Sequence, residues 1–322
     1  MNYLFQKLTE NIKNHTNIII MTHKNPDLDG MSSAICLYEI IKKLKKNVCI
    51  ITPSKITNNS LLKGINYLKQ EKIEINYISN IKNIKKTNNE TLLIILDTQK
   101  PELVEYEELL KTENIFVIDH HLSTSTHITN TIFEYINSNK SSIVEIMVEY
   151  LKYLNMNVNP AIATLMLAGM DVDTHSYKIK TTEATFQASS FLLRNGAKLE
   201  IKNELLKESF NDILRRNDYI KNSYFIKKGF LVCNIGKVSD IIDLSIVADE
   251  LLRVKDVEAA FTVGILENKV IRVSARSTGK IDVNEILQKI GGGGHKTDAA
   301  AEFKEYQIEE VIKNIKKAIL EE

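Results

Sequence analysis

Residues 17–30 read NIIIMTHKNPDLDG, an apolar run that gives way within two residues to His23, Asp27 and Asp29. Three groups that lose strongly on leaving water stand where a buried strand should turn into a loop, a cost unless something binds them. The same run-and-break recurs. TLLIIL at 91–96 is followed directly by Asp97, and NIFVI at 114–118 by Asp119, His120 and His121; NVCII at 47–51 is a fourth apolar run. Runs apolar at successive positions suit strands buried on both faces, as in a parallel sheet covered by helices. All strands of such a sheet end on one edge, so residues nearly a hundred positions apart are expected to converge there.

Between the runs, residues 31–46 (MSSAICLYEIIKKLKK) place apolar side chains at helical spacing and end in lysines that favour a helix C-terminus. A second helix is expected from Ser142, with Glu145 completing a capping box, and a third after Pro160 through AIATLMLAGM. Helical pattern continues over 184–222, interrupted at Asn195-Gly196, and from about 223 it yields to shorter strand-like runs such as FLVCNI, AAFTVGIL and KVIRVSAR. The fold class expected is α/β: an N-terminal parallel-sheet domain with helices on both faces over 1–187, a helical connector over 188–222, and a smaller mixed α/β domain over 223–322.

The chain has 322 residues, enough for two cores. Its 42 basic and 41 acidic residues leave a formal charge of +1, so no global field draws in long nucleic acid. The six arginines (194, 215, 216, 253, 272 and 276) all lie in the C-terminal half, so bidentate phosphate recognition can come only from there. Cys36, Cys49 and Cys233 are widely spaced, which indicates neither a disulfide framework nor a thiolate zinc site and suits a reducing cytoplasm. No stretch is apolar enough for a signal peptide or a membrane span.

Asp173, in LAGMDVDTHS, is a fourth candidate for the sheet edge. Each piece has a plain structural explanation: Asp27 and Asp29 flank a turn at Pro26 and Gly30, Asp97 and Asp173 suit helix caps, and a His-His pair suits an exposed loop. All four explanations would have to hold at one edge. Convergence instead puts four aspartates (27, 29, 97 and 173) and two or three histidines in one cleft, where carboxylate repulsion calls for cations. Oxygen and imidazole donors without thiolate suit Mn²⁺, with Mg²⁺, Fe²⁺ and Co²⁺ less favoured. Six or so donors exceed what one ion with an open position needs, whereas two ions roughly 3.5–4 Å apart would use them and activate a water for attack at phosphorus.

The series His23-Lys24-Asn25-Pro26-Asp27-Leu28-Asp29, Asp97, Asp119-His120-His121 and Asp173 resembles the four ordered motifs of the DHH phosphoesterase superfamily, over about the first 175 residues. That resemblance implies one metal held by His23, Asp27 and Asp97, and a second held by Asp29, Asp97, His120 and Asp173, with Asp97 as the bridge. It also implies that His121 meets the scissile phosphate or assists the leaving group, with Asp119 orienting the histidines.

Near the C-terminus, IGGGGHKTDAAA (290–301) follows VSARSTG, which carries Arg276 and Ser277. A glycine run lets backbone N–H groups approach an anion, although a hairpin or hinge would also use it. Together these stretches resemble the DHH-associated domain, which implies substrate binding by Arg276, Ser277, Gly292, Gly293, Gly294 and His295, with substrate lying between the two domains. Within the superfamily, LAGMDVDTHSYKIKTTEATFQASSFLLRNGA, VEAAFTVGI, RVSARSTGKIDV and GGGGHKTDAAA are most similar to the catalytic module of the bacterial cyclic di-AMP phosphodiesterases, and a standalone form without their membrane, sensory and cyclase-like parts is expected.

The activity so implied is metal-dependent hydrolysis of cyclic di-AMP, linear dinucleotides such as pApA, or both, to 5′-nucleotides by a two-metal-activated hydroxide. The rival is a nano-RNase with 3′-phosphoadenosine 5′-phosphate phosphatase activity, and a more distant one is a non-catalytic cyclic-dinucleotide sensor. Partners expected are a small nucleotide and, by family likeness, a second copy of the chain, with no long nucleic acid and no membrane. Gln99 and His175 stand beside the motifs without an assigned role, His175 read as a pocket wall.

Overall fold

Four of the apolar runs become central strands because they have no polar face to turn to water. In the computed structural model, which describes residues 2–84, 88–123, 126–238 and 241–321, they are β1 (Asn17–Met21), β2 (Asn47–Ile51), β4 (Thr91–Leu96) and β5 (Asn114–Asp119). Two short edge strands complete the sheet, β3 (Tyr77–Ile78) and β6 (Phe133–Ile136). They are only half-buried and their residues (YI, FEYI) form no apolar run, which hid them from sequence reading. All six strands are parallel, in the order β3-β2-β1-β4-β5-β6, so the chain reverses its direction of travel across the sheet between β1 and β4.

The α-helices of this first unit are α1 (Asn2–Asn14), α2 (Leu28–Lys43), α3 (Asn59–Gln70), α4 (Ile143–Tyr153), α5 (Pro160–Asp173), α6 (Glu183–Arg194) and α7 (Leu199–Leu206). All contribute to one hydrophobic core built on Ile18, Ile20, Leu92, Ile94, Phe116 and Ile118 of the sheet. The opposite face, with Ile19, Met21, Leu93, Ile95 and Val117, is closed by Val104, Leu109 and Ile128 from 3-10 turns and loops. Helices on both faces were expected; α-helices cover one face, because the 17 residues between β4 and β5 (97–113) are too short and too polar for more than turns at Pro101–Leu103 and Glu107–Lys111.

The second unit holds α8 (Phe210–Ile220), β7 (Ser223–Lys227), β8 (Phe230–Lys237), α9 (Ile242–Leu251), β9 (Ala259–Ile265), β10 (Ile271–Ser277), α10 (Val283–Gln288), β11 (Gly293–Gly294), β12 (Asp298–Phe303) and α11 (Ile308–Leu320). Its sheet runs β11-β12-β10-β9-β8-β7, antiparallel except for the parallel pair β8–β9. α8 and α9 pack on one face and α10 and α11 on the other. The compact units divide at 207/208, so the expected connector is not a body of its own. Leu192 of α6 and Leu205 of α7 join the first core, while Tyr219 of α8 joins the second, each helix following its apolar side chains. Among the described residues no helix is long and apolar enough to cross a membrane.

α2 begins three residues earlier than its sequence pattern, with Asp27 as N-cap: its Oδ1 accepts the Gly30 N–H at 3.0 Å. α2 and α5 pack closely through Gly169, where a Cβ would fall 2.7 Å from the Leu28 carbonyl oxygen and 2.9 Å from the Asp29 Cα. Gly169→Ala is therefore expected to lower unfolding free energy by about 1–3 kcal/mol, because backbone rather than a flexible side chain must yield. Urea denaturation of the metal-free protein checks it; an unchanged midpoint would mean that the helices separate without cost.

Candidate metal centre

The reversal between β1 and β4 leaves a crevice at the C-terminal edge of the sheet, and the residues that follow β1, β4 and β5 face it. Asp97 stands at its middle. It holds a left-handed backbone (φ 67°), which an aspartate adopts at modest cost, and its N–H donates to the Ile118 carbonyl at 3.0 Å. Its two carboxylate oxygens look to different neighbours. Oδ2 is 3.5 Å from His23 Nε2, while Oδ1 is 3.3 Å from His120 Nε2 and 3.7 Å from His121 Nδ1. Gly30 makes room for it, since a Cβ there would lie 2.8 Å from Asp97 Oδ2.

On one side of Asp97, His23 places Nδ1 at 2.7 Å from the Lys24 carbonyl oxygen, so that nitrogen donates and Nε2 turns toward Asp97 and toward Asp27 Oδ2 at 3.8 Å. On the other side, His120 Nε2 lies 3.1 Å from Asp173 Oδ2 and 3.9 Å from Asp29 Oδ2. Asp29 is fully buried and also accepts the first two amides of α4, Ile143 N–H at 2.7 Å and Val144 N–H at 3.0 Å. It thus caps one helix while standing in the first turn of another. Asp173 closes α5; its neighbour Asp171 is turned away, paired with Lys202 and with Ser176 Oγ.

A third layer sits behind His121. Asp119 Oδ1 accepts from His121 Nδ1 at 2.8 Å and from the His121 amide at 3.1 Å, and Asp119 Oδ2 accepts from Gln99 Nε2 at 3.0 Å. Gln99 is the support that sequence reading left without a role. Its one signal is position, two residues past a strand-end aspartate and therefore beside the next strand's end. His175 is exposed and belongs to none of the three donor clusters.

Electrostatically the cluster seeks positive charge. Burial pushes the Asp29 carboxyl well above its ordinary range, with Asp173 and Asp97 adding to it, and burial with Asp27 and Asp97 raises Asp173 against the pull of His120. Burial alone would lower His23, yet Asp27 and Asp97 push it up to about 12, and Asp173 and Asp97 raise His120 in the same way. Burial would raise Asp97, but His120 and His23 outweigh it and hold it below the usual carboxylate range. Even so, Asp97 Oδ1 and both His120 ring nitrogens are buried without a partner in hydrogen-bonding geometry. Three groups, His23–Asp27–Asp97, Asp29–His120–Asp173 and Asp97–His120–His121, each bring donor atoms within 4.8 Å of one another. A hard or borderline divalent cation fits these oxygen and imidazole donors.

The second unit arranges its expected substrate residues differently from one another. Arg276 Nε is 3.4 Å from Asp249, and His295 is half-buried in the turn before β12. Ser277, expected to contact substrate, is turned inward, its hydroxyl 2.7 Å from the Ile281 carbonyl and 3.0 Å from that of Lys296. The glycine run was expected to offer its amides to an anion. Instead Gly292 N–H donates to Leu287 O at 2.8 Å, Gly294 N–H to Asn284 Oδ1 at 2.9 Å and His295 N–H to Asp298 O at 2.6 Å. Gly293 and Gly294 pair with Ala300 and Ala299 of β12, and a Cβ at 292 or 294 would meet that strand at 2.7 or 2.5 Å, so close hairpin packing accounts for these glycines.

Residues 17–170 match the DHH family, N-terminal domain, and residues 227–321 match the DHHA1 domain. The chain belongs to the DHH family. It is 32% identical over 320 residues to the cyclic-di-AMP phosphodiesterase GdpP of Bacillus subtilis, covering 97% of this chain and 49% of that protein, and so spans about half the length of that relative. To the bifunctional oligoribonuclease and PAP phosphatase NrnA of Mycoplasma genitalium it is 26% identical over 321 residues, 96% of either chain. The crystal structure of an exopolyphosphatase-related protein from Bacteroides fragilis shares the fold, with a TM-score of 0.83 at 17% identity over 100% of this chain and 96% of that one.

Asp29 and Asp173 should differ in the metal-free protein. Asp173→Ala removes repulsion and is expected to leave stability unchanged or raised, whereas Asp29→Ala also strands two buried amides and should fall below it by about 1–3 kcal/mol. Chemical denaturation of both variants in chelator checks the order, and equal stabilities would mean that the α4 cap carries nothing.

Proposed function

We propose that the protein is a phosphodiesterase that holds two divalent cations and hydrolyses cyclic di-AMP, short linear dinucleotides such as pApA, or both, to 5′-nucleotides. The observation that carries this reading is Asp97, one carboxylate whose oxygens address two separate sets of donors. His23 and Asp27 would share one cation with Asp97; Asp29, His120 and Asp173 would share the other. The unpartnered Asp97 Oδ1 and His120 nitrogens are the atoms such ions would satisfy. Mn²⁺ suits the mixed donors best, with Mg²⁺, Fe²⁺ and Co²⁺ as alternatives. When bound, the pair supplies an activated water and neutralises charge on the phosphoryl oxygens.

The chain's own contribution centres on His121. Asp119 fixes its ring through Nδ1 and, against the lowering effect of burial, raises its basicity, while half of the side chain remains exposed. A protonated Nε2 held this way can deliver a proton to the departing 3′-oxygen. Gln99 keeps Asp119 from rotating away. Arg276 and His295 are assigned to the remote phosphate and nucleotide as charged and hydrogen-bonding groups; the Gly292 and Gly294 amides, which donate to Leu287 and Asn284 of α10, are not. A second reading, an oligoribonuclease that also removes the 3′-phosphate of 3′-phosphoadenosine 5′-phosphate, is favoured by the match to NrnA along 96% of both chains.

Metal-stripped protein reloaded with Mn²⁺ should hydrolyse cyclic di-AMP or pApA faster than 3′-phosphoadenosine 5′-phosphate; the reverse order would favour the second reading. Asp97→Asn keeps the left-handed backbone, and is expected to reduce turnover by at least 10²-fold with circular dichroism unchanged. Near-normal turnover in that variant would refute the two-cation site. Because His23 and His120 are held protonated in the metal-free cluster, Mn²⁺ loading should release at least about one proton per chain near neutral pH. Titration calorimetry in two buffers of different ionisation enthalpy would detect it.

A further inference from the structure

Beyond the metal cluster, the segment between α5 and α6 builds something the reaction centre does not use. His175, Ser176 and Tyr177 follow one another in left-handed backbone (φ 46°, 58° and 62°), a run that side chains bearing a Cβ avoid at roughly 1–2 kcal/mol each. The strain is held in place: Ser176 N–H donates to Asp171 O at 2.7 Å, Tyr177 N–H to Thr174 Oγ1 at 3.0 Å, and the Tyr177 hydroxyl lies 3.0 Å from Ser189 Oγ. Its result is an aromatic step. The Tyr177 and Phe186 rings stack with centroids 5.5 Å apart and planes 14° from parallel, and Phe186 is 57% exposed.

The step walls a groove of about 540 Å³, together with Lys178, Lys180, Ser138 and Asn139, and among the described residues no acidic side chain lines it. Cationic and aromatic surfaces with a few amide and hydroxyl groups suit a nucleotide: the base stacks, the lysines meet phosphate, and the polar groups touch ring edges. The groove adjoins the cluster by chain connection. Tyr177 is four residues beyond Asp173, at most about 14 Å along the backbone. Asn137, immediately before Ser138, donates its N–H to the Asp119 carbonyl at 2.9 Å.

We infer that Tyr177 and Phe186 form a stacking platform for the nucleobase of the nucleotide next to the scissile phosphate, with Lys178 and Lys180 on its phosphate. This rests on the phosphodiesterase reading and deepens it: the platform selects substrates with a flat heterocycle beside the cleaved bond, tolerant of which base. Such stacking is worth about 1–3 kcal/mol per base.

Phe186→Leu removes the ring and keeps apolar bulk on an exposed site, and Phe186→Trp keeps a ring. On pApA with Mn²⁺, Phe186→Leu should raise KM roughly 5- to 100-fold with kcat within about twofold, and Phe186→Trp should restore KM. Mn²⁺ affinity, read by titration calorimetry, serves as a control for the metal centre and should change little in either variant. Metal-stripped wild-type protein should quench a 2-aminopurine dinucleotide on binding, and Phe186→Leu should lose that quench. Unchanged KM and quench in an active Phe186→Leu variant would overturn the platform, as would a changed oligomeric state with KM intact, which makes the rings a self-association face. If wild-type protein cleaves no phosphodiester at all, the functional reading fails instead, and the quench still decides whether the groove binds a base.

Discussion

Carboxylates crowded into a buried crevice cannot all stay ionised unless positive charge stands among them, and the first unit is arranged around that requirement. Asp29, Asp97 and Asp173 converge with Asp27 at its rim, and His120 Nε2 stands within 3.9 Å of an oxygen of each of the three innermost carboxylates. In the metal-free protein the histidines carry the compensating charge as protons. Protons are a partial solution, since they sit on one nitrogen each and leave Asp97 Oδ1 and His120 without hydrogen bonds of good geometry. Divalent ions carry more charge in one place and accept donors from several directions at once.

The scaffold accepts local cost to keep this arrangement. Asp97 takes a left-handed backbone so that its two oxygens straddle the crevice, and Gly30 gives up a side chain so that Asp97 can approach. Gly169 allows α5 to reach α2, bringing Asp173 at the end of one helix beside Asp29 at the start of the other. A parallel sheet makes the convergence general: strand ends far apart in sequence share an edge, and the reversal of strand order between β1 and β4 opens that edge to solvent. The strain and the chemistry therefore occur at the same few positions.

Much of this was legible in the sequence because the signals were redundant. The runs at 17–21, 47–51, 91–96 and 114–118 all became strands, and His23, Asp27, Asp29, Asp97, His120 and Asp173 all lie in one cluster, since buried parallel strands and abrupt polar breaks at their ends are two readings of the same geometry. What escaped notice depended on pairing partners rather than on local pattern. The edge strands β3 and β6 exist because a neighbour offers hydrogen bonds, not because their residues demand burial. The glycines at 292 and 294 read equally well as an anion cradle or a close-packed hairpin, and only the position of β12 distinguishes them. The unit boundary at 207/208 follows which core takes Leu205 and which takes Tyr219, which helical periodicity cannot tell.

Asp29 shows how tightly binding and folding are joined here. Its burial and its carboxylate neighbours favour the neutral acid, yet two amides at the N-terminus of α4, where the helix dipole is positive, favour the anion. The same oxygens that would meet a cation thus already hold α4 against α2. A cation arriving beside Asp29 removes the repulsion that opposes this cap, so filling the cleft and tightening the helix pair are one event seen from two sides. Because His120 faces Asp29, Asp97 and Asp173 together, the gain spreads from α2 through β5 to α5, the elements whose ends form the crevice. The sheet supplies the meeting point, but the charge bound there decides how firmly the helices close on it.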